Sequence, residues 1–382
     1  MNKISKISFE IQAKDPETQA RMGLLTLGKH KISTPVFMPV GTKGSVKGVF
    51  QHELKKLGAS ILLANTYHLS LRPGMDILRA AGGLHKFMGW SDALLTDSGG
   101  YQVFSLKERR VLDEGGVCFQ SHIDGSRHIF TPSSVIDHQR IIGSDILMPL
   151  DECPPAGTPL SYQKKALHRT HTWWAQSQKH FKETTNLSNH SQVLFPILQG
   201  GPHKILRREA ADTMMSYAPE GYALGGLSVG EPKEDIYKVA SWMGEWLPSE
   251  KPRYLMGLGR PEDLLESISM GMDMFDCVIP TREGRTGRLF TSQGILNIKN
   301  KKWEKDFNCI DPNLPNSSIG KTYQKAYLRH LFMTHEMLGA QIASLHNLSF
   351  YFWLMQTARH HIQQQSFRTW KKQIQATLAA RI

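Results

Sequence analysis

Ala93-Leu94-Leu95-Thr96-Asp97-Ser98-Gly99-Gly100 reads as a short apolar strand that stops on a carboxylate and two glycines, and the same unit recurs along the chain. Apolar runs ending in Gly, Pro or a polar residue lie at Pro35–Val40, Ile61–Ala64, Ala93–Thr96, Ile146–Leu150, Val193–Leu198, Tyr222–Leu224, Arg253–Met256 and Met272–Ile279. Continuous apolar runs suit strands buried on both faces, which a parallel sheet covered by helices requires. Between them lie segments of helical period or length, among them Ser45–Leu57, Ser133–Ile142, Ser161–Glu183, His203–Tyr217, Lys233–Trp246 and Pro261–Met270. Strand and helix alternating eight times predict an α/β fold of the (β/α)8 TIM-barrel type. A doubly wound open sheet is the alternative, but no Gly-x-Gly-x-x-Gly turn opens a helix. The rhythm breaks over Arg282–Asn316, rich in Gly, Asn, Lys and Arg, before helical character returns at Tyr323–Gly339 and Leu345–Gln363. One catalytic domain over 1–382 is therefore expected, with an insertion at about 283–344 between strand eight and its helix.

With 46 Lys+Arg against 34 Asp+Glu in 382 residues, the formal charge of +12 favours a polyanionic partner, most naturally nucleic acid. No run approaches the ~20 apolar residues that span a bilayer, and Met1–Ala13 lacks a signal-peptide core. A cytoplasmic protein without membrane contact follows as the expectation. Cys118, Cys153, Cys277 and Cys309 are scattered without paired spacing, so neither a disulfide framework nor a Cys-x-x-Cys metal site is written here.

Residues just past the strand ends of a barrel meet at one mouth, so their chemistry can be pooled. They read Thr96-Asp97-Ser98-Gly99-Gly100-Tyr101-Gln102, Asp151-Glu152-Cys153, Gln199-Gly200-Gly201, Gly225-Gly226-Leu227, Met256-Gly257-Leu258-Gly259 and Phe275-Asp276-Cys277. Taken singly, Asp97 could shape a turn, Asp151 could cap, and Asp276 could pair with Arg282 or Arg285. Together the three carboxylates suit attack at a glycosidic carbon, one trapping the oxocarbenium-like centre while another moves protons. Carboxylate and amide groups match the hydrogen-bonding edge of a purine-like ring, with Tyr101 and Met256 available to cover its faces. A glycosidic bond to a nucleobase is the natural target.

These stretches, in this order, resemble the bacterial tRNA-guanine transglycosylases, also called queuine tRNA-ribosyltransferases. The resemblance runs from Thr34-Pro35-Val36-Phe37-Met38-Pro39-Val40-Gly41-Thr42 to His346-Asn347-Leu348 and is most specific at Met274-Phe275-Asp276-Cys277-Val278-Ile279-Pro280-Thr281-Arg282. It implies an enzyme of queuosine biosynthesis that replaces guanine at the wobble position of GUN-anticodon tRNA with a 7-deazaguanine, prequeuosine-1 or queuine. By the same resemblance Asp276 is the nucleophile that holds the tRNA covalently, and Asp97 the acceptor of the incoming base's proton. Ser98, Gly99, Gly100 and Tyr101 would lie beside the base, Asp151 and Gln199 on its pyrimidine edge, Gly226 and Leu227 as backbone partners, and Met256 opposite Tyr101. The tRNA-contacting segments would be Gly257, Leu258, Gly259, Arg260, Pro261, Glu262 and Asp263, then Thr281, Arg282, Glu283, Gly284 and Arg285. Guanidinium groups suit phosphates and flanking bases, and a base that must be splayed out favours anticodon-loop RNA over a duplex.

One stretch departs from the family, whose members hold a structural zinc with a Cys-x-Cys-x-x-Cys cluster and a later histidine. Here Asn313-Leu314-Pro315-Asn316-Ser317-Ser318-Ile319-Gly320 follows Asp311-Pro312, so Leu314, Asn316 and Ile319 stand in place of the thiolates. Cys309 is off the spacing, and of the usual ligands only His346 is left. A lone histidine cannot satisfy a four-ligand metal, so no cofactor is expected and His346 reads as a packed or hydrogen-bonded helix residue. A homodimer, implied by the resemblance, is correspondingly weakened. A non-catalytic tRNA-binding partner and an ordinary glycoside hydrolase are the rival readings; the retained carboxylates argue against the first, and the basic charge against the second. Cys153 and Val229 follow the bacterial pattern, which tilts the incoming base toward prequeuosine-1.

Overall fold

The computed structural model describes residues 7–105, 110–184, 191–315 and 317–382. Its architecture is mixed α/β and contains two parallel sheets. One runs Ile61–Asn65, Ala93–Asp97, Ile146–Leu147, Val193–Leu194; the other runs Ile197–Leu198, Tyr222–Leu224, Arg253–Leu255, Met274–Cys277, Val36–Pro39. A parallel bridge between Val40 and Leu63 links them on one side. On the other side, the run expected as one strand over Val193–Leu198 is interrupted at Phe195-Pro196, because proline has no N–H to give a ladder. Backbone bonds persist across the break, Phe195 N–H to Leu147 O at 3.1 Å and Ala223 N–H to Pro196 O at 2.9 Å.

Side chains alternate across each strand with period two. Val36, Met38, Ile61, Leu63, Ala93, Leu95, Ile197, Ala223, Tyr254 and Met274 share one buried cluster, whereas Phe37, Leu198, Leu224, Leu255 and Phe275 belong to a second. The second cluster packs against helices, including Lys204–Met215, Lys233–Trp246 and Pro261–Ser269. Two further helices stand where helical period was read: Pro132–Ile142, opened by a capping box between Thr131 and Ser134, and Leu160–Glu183.

Several elements carry no signal of that kind. Ser8–Lys14, Arg21–Leu27 and His30–Thr34 form an antiparallel sheet, as do Arg110–Asp113, Gly116–Gln120 and Arg127–Phe130. The first of these delivers Arg21 to Asp273, where the guanidinium makes two bonds at 2.9 and 2.6 Å. The same carboxylate accepts from the Arg253 N–H at 2.7 Å, so one buried pair fixes the starts of two neighbouring parallel strands. Beyond the last parallel strand come the helix Ile279–Thr286, the antiparallel pair Arg288–Thr291 and Gly294–Asn297, and the helices Ser318–Thr322, Lys325–Met333, Met337–Gln363 and Phe367–Ala379. The helix expected over Tyr323–Gly339 is thus broken at 334–336, where His335 adopts a φ of 59°. Among the described residues no helix is long and apolar enough to cross a membrane.

Candidate active site

The alternation that fills the inner cluster also builds the site. One step of two residues past Leu63, Leu95, Ile197, Ala223, Tyr254 and Met274 come Asn65, Asp97, Gln199, Gly225, Met256 and Asp276. All six line a single cavity of about 450 Å³ at the C-terminal ends of the strands. Asp151, Tyr101, Gly226, Leu227, Gly257, Leu258, Gly259, Arg260, Asp263 and Arg282 line it too. Ser98 is fully buried behind the wall, its Oγ accepting from the Gly100 N–H at 3.2 Å. Gly99 must be glycine: its φ is +88°, and a Cβ there would lie 2.4 Å from that of Tyr67.

Asp276 is bonded on one side. Its Oδ1 accepts from the Tyr254 hydroxyl at 2.6 Å and from the Gly257 N–H at 2.7 Å. Among the described residues Oδ2 receives no hydrogen bond. Burial raises the pKa of Asp276, against the opposing effect of those two donors. Burial and the nearby charge of Asp276 hold the Tyr254 phenol well above its ordinary range, so it remains a donor.

Asp97 accepts from Asn65 Nδ2 at 2.9 Å, and the same amide donates to Gln102 Oε1 at 3.0 Å. Burial, followed by the charges of Asp151 and Asp276, pushes Asp97 up to about 7. Asp151 accepts from Gln199 Nε2 at 2.6 Å and is pushed up to about 6, again chiefly by burial. The Gln139 side chain sets the relative height of the two segments, taking the Thr96 hydroxyl at 2.7 Å and the Met148 N–H at 3.0 Å. Three carboxylates that resist ionisation thus face one cavity, an arrangement suited to proton transfer near neutral pH. Cys153 and Cys277 are pushed by burial to about 12 and about 11, which leaves both as unreactive thiols.

The two segments assigned to tRNA divide by exposure. Arg282 is exposed and Arg285 half-buried, and neither has a carboxylate partner among the described residues. Arg260 and Glu283 lie 3.6 Å apart, with Arg288 3.3 Å from the same carboxylate. Pro261 opens its helix, Glu262 and Asp263 pair with Lys233, and Asp263 also accepts from Tyr237 at 2.6 Å. Thr281 and Gly284 face inward, Gly284 so closely packed on Ala343 and Ser344 that a Cβ would come within 2.9 Å of their backbone. Sequence reading missed Asn65 and Tyr254. Asn65 lies one residue beyond the run assigned to its strand, so the strand-end rule could have reached it; Tyr254 sits inside an apolar run and gives no signal.

The stretch that departs from the zinc pattern forms a compact hydrogen-bonded loop. Asp311 is 2% exposed and accepts from the Ser292 N–H at 2.6 Å, its hydroxyl at 2.8 Å and the Asn313 N–H at 3.2 Å. Leu314 is fully buried in the main core and Ile319 packs against a separate cluster that includes Leu289 and Ile310, while Cys309 donates to the Lys321 carbonyl. His346 is fully buried, with Nε2 2.9 Å from the Phe290 carbonyl and Nδ1 without a partner. Asn316 lies outside the described residues. Among those described, no three His, Cys, Asp or Glu side chains gather as metal ligands.

The family model for queuine tRNA-ribosyltransferase matches residues 15–380. A queuine tRNA-ribosyltransferase of Caldanaerobacter subterraneus subsp. tengcongensis is 48% identical over 97% of both chains. Its counterpart in Dictyoglomus turgidum is 48% identical over 96% of this chain and 93% of its own, and that of Aquifex aeolicus 46% identical over 95% and 97%.

Proposed function

The chain belongs to the queuine tRNA-ribosyltransferase family, and on that premise we propose that it exchanges guanine at the wobble position of GUN-anticodon tRNA for a 7-deazaguanine through a covalent bond from Asp276 to the ribose. The observation that carries this reading is the one-sided bonding of Asp276. With Oδ1 held by Tyr254 and Gly257, Oδ2 is left to form a bond to ribose C1′ while the C1′–N9 bond breaks and its electron pair departs on guanine. Asp97, poised at about 7, can give a proton to the departing base and take one from the N9 of the incoming base. The N9 pair of that base then displaces the Asp276 carboxylate.

Asp151 and Gln199, bonded to each other, suit the pyrimidine edge of the base, with the Gly226 and Leu227 backbone beside them and Tyr101 and Met256 over its faces. Cys153, Leu227 and Val229 line the same cavity, and because Cys153 and Val229 resemble the bacterial pattern we read prequeuosine-1, not queuine, as the incoming base. Of the segments assigned to tRNA, the guanidinium groups of Arg260, Arg282 and Arg285 are the parts suited to phosphates. The bridge at Val40 and Leu63 and the bonds across Phe195-Pro196 support closure of the two sheets into one eight-stranded barrel. On that reading the chain is one catalytic domain, with 283–344 an insertion.

The donor set does not fit the zinc of the family, since Asp311 already accepts three bonds from Ser292 and Asn313 and, among the described residues, no three His, Cys, Asp or Glu side chains gather as ligands around His346 or elsewhere. Exchange is accordingly expected to be metal-independent. A homodimer finds support in Met333, Met337 and Leu338, which expose apolar surface together at the helix break.

The decisive experiment supplies labelled guanine and an unmodified GUN-anticodon tRNA in the presence of a chelator. Incorporation, with a protein–RNA adduct stable to denaturation, is the expected result. Binding of tRNA without incorporation would point to the non-catalytic partner, and release of guanine without incorporation to a hydrolase.

A further inference from the structure

Behind the cavity wall lies a buried cation that the exchange reaction does not use. Arg207, on the helix Lys204–Met215, is fully buried; among the described residues no carboxylate is within ion-pair distance of it, and the charge of Glu231 acts on it from farther away. Its Nε donates to the Gly201 carbonyl at 2.8 Å, Nη1 to Leu198 at 2.6 Å and Nη2 to Gly225 at 2.8 Å. Burying a charge whose direct partners are all carbonyls is costly, and an apolar side chain would fill the same volume without that cost. The arrangement is explained by what the carbonyls belong to. Leu198 and Gly201 bracket Gln199, and Gly225 precedes Gly226, so one rigid guanidinium plane ties together the two segments that form the back of the cavity.

Those segments are in contact through Gln199 itself. A Cβ on Gly225 would lie 2.6 Å from Gln199 Nε2, and one on Gly226, whose φ is +65°, would lie 2.3 Å from Oε1. Any slip of one segment therefore moves the Gln199 amide and, through its bond to Asp151 Oδ2, the carboxylate beside it. Gln199 Oε1 is buried without a partner.

We infer that Arg207 is a positioning residue for base recognition, holding Gln199 and the Gly226 backbone at a fixed separation before the base arrives. The inference rests on reading the cavity as the base site.

The test is Arg207→Lys, which keeps the charge and loses the three-pronged geometry, measured alone and in a Gln199→Ala background. The expected result is a rise of about tenfold in the KM for guanine, with kcat and the KM for tRNA changed less than about twofold. Because the residue acts through Gln199, the effect on guanine should largely vanish in the double variant. Equal changes in both KM values, or full additivity, would reduce Arg207 to a general stabiliser and overturn the inference.

A companion measurement on the unaltered protein does not depend on the variant folding. Amide exchange at Gly200, Gly201 and Gly225 should be as slow in the free protein as with saturating guanine. A tenfold slowing on binding would mean that the base, and not Arg207, orders the wall. Failure of the unaltered protein to bind guanine at all would instead remove the reading of the cavity and leave the geometry of Arg207 untouched.

Discussion

Two regions of this molecule place aspartates in buried surroundings and treat them oppositely. In the loop behind the helix Met337–Gln363, Asp311 receives three donors from Ser292 and Asn313. At the strand ends, Asp276 has one oxygen held and the other bare, and Asp97 and Asp151 are kept well above the ordinary carboxylate range by burial. A carboxylate with donors on both oxygens is a structural tie. One from which donors are withheld retains a reactive lone pair or a proton, and the fold bears the cost.

If that contrast holds, Asp276→Ala should reduce base exchange by on the order of a thousandfold or more, since it removes the attacking oxygen. The affinity for tRNA should stay near that of the unaltered protein and the melting temperature should not fall. Substantial retained turnover, or an adduct still visible on a denaturing gel, would take the nucleophile's role away from Asp276.

The next effect is in pH. A carboxylate whose folded pKa lies above its unfolded value binds more protons in the native state, so the protein loses stability as pH rises between about 4 and about 7. Asp97→Asn cannot ionise and should be more stable than the unaltered protein above pH 7, by on the order of 1–2 kcal/mol, while exchanging bases poorly. The rate profile should show an inflection near 7 that moves down in Asp151→Asn, because the Asp151 charge helps raise Asp97. An unmoved inflection would assign it to another group. Tyr254→Phe is a milder probe of the same region: losing a bond to a charged carboxylate, worth about 1.5–3 kcal/mol, should slow exchange ten- to a hundredfold.

How much of this was legible in the sequence differs between the regions for physical reasons. The parallel strands are nearly pure apolar runs, so their existence and their polar ends could be read directly, and Asp97, Asp151 and Asp276 with them. Parity could not be used until the strand limits were known, which is why Asn65 was missed beside them. In the antiparallel sheet at Ser8–Thr34, one strand alternates exposed with half-buried residues and the next buried with half-buried ones, and Arg21 gives no hint that its partner lies 252 residues away at Asp273. Nothing in the sequence of the helix Lys204–Met215 sets Arg207 apart from Arg208 beside it; only the fold brings three backbone carbonyls to its guanidinium.

The smallest expected effect on activity comes from the other region and sharpens the contrast most. If the family's zinc is lost, with Leu314, Asn316 and Ile319 standing where its thiolates are expected, a chelator should shift neither the melting temperature nor the exchange rate. Asp311→Ala strands the N–H and hydroxyl of Ser292 and should destabilise by about 1–3 kcal/mol, a drop of a few degrees, with kcat unchanged. A melting temperature that falls with chelator and recovers with zinc would mean that His346 Nδ1, buried without a partner beside Gly320, still serves a metal with ligands outside this loop. A fall in kcat without loss of stability in Asp311→Ala would be the more damaging result. It would mean that the loop transmits geometry to the cavity through Phe290 and the Met337–Gln363 helix, and the two classes of aspartate would no longer be separate.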